Sequence, residues 1–239
     1  MITSLHEEVK RHANPEKAAI LARFFKTGKG EYAEGDIFVG LTVPQSRKIA
    51  REYKAMSFEE VSQLLQSNIH EERLIALLIL VENYAKSDDA VRKKLYAFYL
   101  SHTKYINNWD LVDLSAEKII GEYLFERSTR ADALSVLTKL TQSKNLWERR
   151  IAMLSTFAFI KHGDASLTWH ITDVLLHDTH DLLQKAVGWM LREAGKRCSE
   201  KELEGYLATR YKTMPRTALR YAIERFPEEK RKKYLLGEI

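Results

Sequence analysis

Two residues in the run Asn-Asn-Trp-Asp-Leu-Val-Asp could act together chemically because of their types and their spacing. Trp109 and Asp113 are four residues apart, so a helix would present the indole and the carboxylate on one face. A carboxylate in a cleft among cations is a candidate functional group, because it can stabilise a developing positive charge. The spacing alone also fits, and rather favours, a packing role for Trp109 and an ion pair between Asp113 and an arginine. Asp110 lies on another face, where we expect it to cap or solvate the helix start.

The rest of the chain predicts the scaffold that carries this pair. Only 10 Gly and 4 Pro occur in 239 residues, which favours long helices joined by short loops. From residue 68 onward, helical stretches that begin polar and turn apolar start at intervals of roughly 35–40 residues, the period of HEAT-type helical hairpins. We therefore expect an all-α fold of HEAT-like hairpin repeats in one domain, residues 1–239, stacked as a curved solenoid with a concave basic face. The main irregular segment is the glycine-rich stretch 28–43.

Cations recur near the starts of the other apolar helices, at Arg73, Arg149 and Arg150, Lys185, and Arg216. A cation at a helix N-terminus is mildly unfavourable with respect to the helix dipole, so its repetition suggests an anion nearby. The formal net charge is +5, and residues 185–239 carry 14 Lys and Arg against 8 Asp and Glu. This pattern indicates a basic track suited to a DNA backbone, although any one of these residues could equally be a solvated surface charge.

Other function classes lack their signatures. The single cysteine, Cys198, excludes an intramolecular disulfide and a cysteine-based zinc site. His170, His177 and His180 have no carboxylate or cysteine at ligand-like spacing, so we expect no metal and no cofactor. No apolar run approaches the roughly 18 residues of a membrane span. We expect a monomeric, soluble, cytoplasmic protein that does not bind membranes and, in a bacterium, is associated with the nucleoid.

Three runs, NNWDLVDLSA, LWERRIAMLSTF and LLQKAVGWMLREAGKR, resemble in this order the AlkD-type DNA glycosylases of the HEAT-like DNA alkylation repair family. An upstream run, FVGLTVPQSRK, resembles that family's entry into its first repeat helices. The resemblance extends from about residue 14 to about residue 225. Each run is a short helical pattern, and the specificity comes from their order and spacing.

The resemblance implies site residues. Asp113 matches the family's catalytic carboxylate, and Trp109 and Trp189 match two aromatic residues that cradle the damaged nucleotide. Arg150 matches the site arginine, and Lys185 matches a cation close to the DNA. The candidate DNA contacts as a set are Arg149, Lys185, Arg73, Arg216, Arg220 and Phe24. For Phe24, core or loop packing is the competing interpretation.

The implied function is hydrolysis of the N-glycosidic bond of cationic N3- and N7-alkylated purines in double-stranded DNA, the first step of base excision repair. One alternative is a non-catalytic HEAT-like module that binds damaged or branched DNA, and retention of Asp113, Trp109 and Trp189 argues against it. A protein-binding helical scaffold is a third possibility, disfavoured by the basic track. The glycine-rich segment 28–36 departs from the family pattern and would be placed to alter substrate choice.

Overall fold

The computed structural model describes residues 1–239, and its regular elements are helices, with no β-strand. The all-α prediction is confirmed. The only extended pairing is an isolated bridge between Ile37 and Ile69. The chain divides into two compact units, Met1–Ser115 and Ala116–Ile239. None of its helices combines the length and the apolar character needed to cross a bilayer.

The first unit is built around α5, a long helix that packs against both α3 and α4. The first four residues of α5, His70, Glu71, Glu72 and Arg73, are all buried. Burial is unusual for charged side chains and indicates that they have partners inside the protein. The helices are α1 (Ile2–Arg11), α2 (Pro15–Phe24), α3 (Val43–Glu52), α4 (Phe58–Leu65), α5 (His70–Lys86), α6 (Asp89–Ser101) and α7 (Trp109–Ala116), with a 3₁₀ turn at Thr103–Tyr105.

The second unit opens on a π-helical stretch, Glu117–Gly121, a rare form of helix that is frequent at functional sites. Here the long helices pack in chain order, α10 against α12 and α12 against α14. The helices are α8 (Glu122–Arg127), α9 (Arg130–Thr141), α10 (Leu146–Lys161), α11 (Ser166–Leu175), α12 (Asp181–Arg197), α13 (Glu200–Ala208), α14 (Arg216–Ala222) and α15 (Glu228–Leu236).

Glycine permits the close approach of α12 to α14. A Cβ at Gly188 would lie 2.4 Å from the Ala218 carbonyl oxygen, closer than atoms can approach without displacement. A Cβ at Gly121 would lie 2.5 Å from the Ser155 carbonyl oxygen of α10. Both glycines therefore set helix-to-helix distances that a larger residue would increase.

A recurring bonding pattern fixes the loops before three of the long helices. In each loop, the side-chain oxygen of one residue accepts a hydrogen bond from the backbone amide two residues later. The backbone carbonyl of the same loop residue accepts a hydrogen bond from the side chain six residues later. The donor–carbonyl pairs are Arg73 with Ser67 (2.8 Å), Arg149 with Ser143 (3.0 Å) and Gln184 with Asp178 (3.0 Å). This shared register supports the predicted repeat, while the curved solenoid and the single domain stay predictions.

The loop bond made by Arg149 should contribute measurably to stability. We expect Arg149→Met to lower the free energy of unfolding by about 1–2 kcal/mol, because it removes a charged donor from the part-buried Ser143 carbonyl and the exposed Lys144 carbonyl. Arg149→Gln supplies the amide that Gln184 uses at the equivalent position and should recover part of that loss. Urea denaturation of the two variants measures the difference. Identical losses would mean that the ion pair from Arg149 Nε to Asp178 (2.8 Å), not the loop bond, carries the effect.

The glycine-rich segment is anchored to α5 by a buried carboxylate. Glu71 is 2% exposed and accepts backbone N–H groups from Val39, Gly40 and Leu41, the shortest at 2.8 Å. Gly40 has φ +90° and lies directly against the Asn14 carbonyl. The end of the segment is therefore held in one conformation by α5 on one side and by the start of α2 on the other.

Candidate functional site

The start of α7 is held by its own side chains. The Asn108 side chain is fully buried, and its Oδ1 accepts the Trp109 amide at 2.8 Å. Asp110 Oδ1 accepts the Leu111 amide at 2.9 Å, which agrees with its predicted role at the helix start. The run beginning Asn-Asn-Trp predicts a helix from Asn107, but α7 begins at Trp109, two residues later. Trp109 and Asp113 lie one turn apart on α7, and both are half-buried.

Trp109 belongs to an aromatic cluster in the first unit. Its ring stacks on Phe25, with centroids 5.2 Å apart and planes 16° apart, and Phe24 meets it edge-on at 6.1 Å. Phe25 in turn stacks on Phe38 at 4.9 Å. The packing interpretation of Trp109 is thus correct for one face of the indole. Phe24, a predicted DNA contact, is 62% exposed. It lies beside Trp109, the predicted site tryptophan.

A buried phenol supports α7 in the region of Asp113. Tyr99 is fully buried, and its hydroxyl donates to Ser115 Oγ at 2.9 Å because Ser115 itself donates to the Leu111 carbonyl. Burial raises the pKa of Tyr99, and the negative charge of Asp113 acts in the same direction. Asp113 is therefore within electrostatic range of Tyr99, which stays protonated and is linked to α7 through its hydrogen bond to Ser115.

A buried ionic network that the sequence did not reveal lies at the start of α7. The imidazole of His70 lies between two carboxylates, with Nε2 2.8 Å from Asp110 and Nδ1 3.3 Å from Asp36. Asp36 also pairs with Arg73 at 2.7 Å and accepts the Asn108 amide at 3.4 Å. The side chains of His70 and Asp36 are 2% and 6% exposed. This network joins the glycine-rich segment, α5 and α7.

The network favours the charged forms of its members. Burial acts against a charge on His70, but the hydrogen bonds to Asp110 and Asp36 outweigh it and raise the pKa of His70. For Asp36, burial likewise opposes ionisation, yet the hydrogen bond from His70 and the charge of Arg73 lower its pKa. The groups thus stabilise one another as an ionic cluster inside the first unit.

The same geometry gives Arg73 a role in the fold. It is 3% exposed, and its guanidinium is engaged by Asp36 and by the Ser67 carbonyl. These donors face inward and stabilise the fold, and the contact of Arg73 with DNA stays a prediction. Nothing in its sequence position distinguishes it from a surface cation.

In the second unit, Arg150 and His180 meet the start of α12. Arg150 is 5% exposed, and its Nη1 donates to the Leu182 carbonyl. His180 Nδ1 accepts the Leu182 amide at 3.2 Å, which requires an unprotonated Nδ1. Burial lowers the pKa of His180, as do the charges of Arg149 and Arg150. Arg150 thus positions the start of α12, and its contact with a phosphate stays a prediction.

Lys185 and Trp189 lie one turn apart on α12, and both are half-buried. Lys185 pairs with Asp181 at 2.7 Å in a solvent-accessible ion pair. The indole of Trp189 contacts Phe157, with ring centroids 6.1 Å apart. The guanidinium of Arg197 lies 5.3 Å from the centroid of the Phe157 ring. Phe157 therefore contacts Trp189 and lies within cation–π distance of Arg197.

The remaining predicted DNA contacts differ in how freely they face solvent. Arg149 is engaged by Asp178 and two loop carbonyls, so its phosphate contact stays a prediction. Arg216 is exposed but donates to the Leu235 carbonyl of α15 at 2.9 Å. Arg220 is exposed on α14.

The helix starts define a common register. The helices α5, α7, α10, α12 and α14 begin at His70, Trp109, Leu146, Asp181 and Arg216. Their fifth residues are Leu74, Asp113, Arg150, Lys185 and Arg220. A carboxylate therefore occupies a position at which the three later helices each carry a cation. The described residues contain no group of three His, Cys, Asp or Glu side chains able to hold a metal ion.

Comparison with known proteins assigns the family. Residues 5–226 match the family described as DNA alkylation repair enzyme, and the chain belongs to that family. Its fold is similar to that of a structure described as a predicted DNA alkylation repair enzyme from Enterococcus faecalis, with a TM-score of 0.69 and 18% sequence identity. That match covers 91% of this chain and 98% of the other. No curated protein matches the chain. The protein is thus a DNA alkylation repair protein with an all-α fold.

Proposed function

We propose that the protein is a monomeric DNA glycosylase that removes cationic N3- and N7-alkylated purines from double-stranded DNA, without a metal or cofactor. The observation that carries the proposal is the carboxylate of Asp113 in a register position that is otherwise cationic in the later helices. A carboxylate is unfavourable for binding a polyanion, so its presence beside Trp109 has a better explanation in catalysis than in DNA affinity.

The chemistry needs only one carboxylate. An alkylated purine already carries a positive charge, so the bond between C1′ and the base nitrogen can break with its electron pair leaving on a neutral base. Ordinary glycoside hydrolysis uses a second carboxyl group as an acid, and this substrate does not require one. Asp113 stabilises the positive charge that develops on the sugar, orients a water molecule toward C1′ and accepts its proton. The products are the free base and an abasic site.

The aromatic residues are assigned to the sugar and the cationic base. The indole of Trp109 is half-buried and is held by Phe25 on one side, and the exposed ring of Phe24 lies beside it. We assign Trp189 a similar role on α12. Contact between a cation and an aromatic face contributes roughly 0.5–2 kcal/mol, which helps to retain a charged base over a neutral one.

Cations on the later helices are assigned to the DNA backbone, and Arg220 gives the clearest test. It is exposed, so Arg220→Gln should weaken binding to duplex DNA without disturbing the fold. We expect the slope of log affinity against log salt to decrease in magnitude by about 0.9, the contribution of one phosphate contact. Fluorescence anisotropy at several salt concentrations measures the slope. Lys93→Gln, an exposed substitution on α6, is the charge-matched control, and equal slopes in both variants would remove Arg220 from the interface.

Release of the base tests the proposal. The protein in excess is incubated with a duplex that contains one 7-methylguanine, and the free base and the alkali-labile abasic sites are quantified. We expect both products to form in equal amounts and faster than spontaneous depurination. Tight binding of the duplex without release of the base would overturn the glycosylase and favour the damage-binding module.

A further inference from the structure

We propose that His70, as a doubly protonated imidazolium, is a positioning residue that holds the start of α7 in the geometry needed for base release. The inference rests on the proposed function of Asp113 and Trp109. It assigns no contact between His70 and the substrate. His70 acts on Trp109 indirectly, through Asp110, which follows Trp109 in the chain, and through Phe25, which stacks on the Trp109 ring.

The hydrogen bonds of His70 define its protonation. Both ring nitrogens face carboxylate oxygens, Nε2 toward Asp110 at 2.8 Å and Nδ1 toward Asp36 at 3.3 Å. An ionised carboxylate can only accept, so both nitrogens must donate, and a ring with two N–H groups is an imidazolium. Asp36 receives further donors from Arg73 and Asn108, which keeps it ionised.

Two routes connect the His70 ring to Trp109. The first is the hydrogen bond to Asp110, the residue directly after Trp109 and three before Asp113. The second is aromatic, because His70 lies 5.0 Å from Phe25, and Phe25 stacks on the indole of Trp109. The ring also stacks on Phe38 at 4.5 Å, which restricts its own rotation. Displacement of His70 therefore disturbs both the backbone and the support of Trp109.

The charges around His70 balance only while it is protonated. Asp36 from the glycine-rich segment and Asp110 from α7 supply two negative charges, and Arg73 from α5 supplies one positive charge. The neighbouring acids on α5 have other partners, since Glu71 accepts three backbone amides and Glu72 pairs with His6. Loss of the His70 proton turns one donor into a lone pair that faces a carboxylate, and the hold on Asp110 or Asp36 weakens.

The sign of the pH dependence follows from this arrangement. Its environment raises the pKa of His70 above the ordinary 6.5, so the positioned state is complete below that value. It is lost as the pH rises through the raised pKa. Above that point we expect the single-turnover rate of base release to fall with the protonated fraction, at most tenfold per pH unit, and then to level off about 10- to 100-fold lower, at the rate of protein that lacks the His70 charge.

Three variants separate positioning from general stability. His70→Gln has a single donor nitrogen, so it can face only one of the two carboxylates. We expect base release at pH 7 to slow by about 10- to 100-fold, with little dependence on pH. Asp110→Asn lets a neutral His70 accept the new amide while it still donates to Asp36. That variant should retain its rate at alkaline pH, where the parent loses it. The control is His170→Gln, an exposed position on α11, which should keep the parental rate and profile.

Nitrogen NMR of imidazole-labelled protein gives a readout that does not depend on activity. We expect the His70 signal to remain imidazolium above pH 6.5 and to titrate at lower pH in Asp110→Asn. A neutral His70 at pH 6, or a parental rate and pH profile in His70→Gln, would overturn the positioning role. If His70→Gln fails to fold, the pH profile of Asp110→Asn decides. Failure of the parent protein to release any base would instead overturn the proposed function, and the positioning role with it.

Discussion

Asparagine in place of Asp113 is expected to slow the release of 7-methylguanine by about 100- to 1000-fold, the usual cost of removing one preorganised electrostatic group. The amide has almost the same shape as the carboxylate, but it neither balances the charge on the sugar nor accepts a proton from water. Single-turnover base release at pH 7 measures the loss.

Binding should respond in the opposite direction to catalysis. Because Asp113→Asn removes a negative charge from a surface proposed to bind a polyanion, affinity for the lesion duplex should stay equal or increase. Glu59→Gln, an exposed carboxylate on α4, is the matched control and should change neither quantity. A parental rate of base release in Asp113→Asn would show that another group drives the reaction.

Alanine at Gly40 is expected to cause the largest loss of stability of any small substitution in the first unit. The added Cβ would lie 2.1 Å from the Asn14 carbonyl oxygen and 2.9 Å from the Ala18 amide, both of them backbone atoms that cannot rotate away. The residue also has φ +90°, where a side chain is strained. We expect the free energy of unfolding to fall by about 4 kcal/mol or more. Thermal and urea denaturation measure the effect.

Gly30 supplies the control for backbone strain alone. Its φ is +78°, close to that of Gly40, but a Cβ there would have no neighbour within 4 Å. Gly30→Ala should therefore cost about 1–2 kcal/mol, the penalty of the left-handed region. The difference between the two variants isolates the clash with Asn14. Equal losses would contradict the claim that α2 and the end of the glycine-rich segment are packed this closely.

Local signals in the sequence predicted local structure well. Asn14 followed by Pro15 is a sequence pattern that predicts a capped helix start, and the Asn14 side chain accepts the Lys17 amide at 2.9 Å. Ser57 and Glu60 have the spacing that predicts a capping box, and they form its reciprocal bonds. In both cases the donor and the acceptor lie within three residues of each other, so the sequence alone contains the interaction.

Long-range contacts explain what the sequence did not reveal. His70 lies 34 residues from Asp36 and 40 from Asp110, and its run His-Glu-Glu-Arg has the composition of a solvated helix start. Arg73 and Arg220 both appear in the sequence as cations near a helix start. The structure distinguishes them, because Arg73 is buried and supports the fold while Arg220 is exposed.

The end of α2 is a second place where a long-range contact, not the local sequence, decides the structure. The run EKAAILARFFK predicts a helix that stops near Gly28, but α2 ends at Phe24. Phe25 leaves the helix to stack between Phe38 and Trp109, and Lys26 takes φ +56° in the turn that follows. Tertiary packing of one aromatic ring thus overrides a local preference that the sequence shows correctly.

The most direct test of the central claim compares two duplexes that differ only in the charge of one base. One contains 7-methylguanine, which is cationic, and the other contains 7-methyl-7-deazaguanine, which has nearly the same shape and is neutral. We predict that the parent protein releases the cationic base and leaves an abasic site, while the neutral base remains attached. Comparable release of both bases, or binding of the cationic duplex without release, would contradict a reaction in which one carboxylate acts on an already charged leaving group.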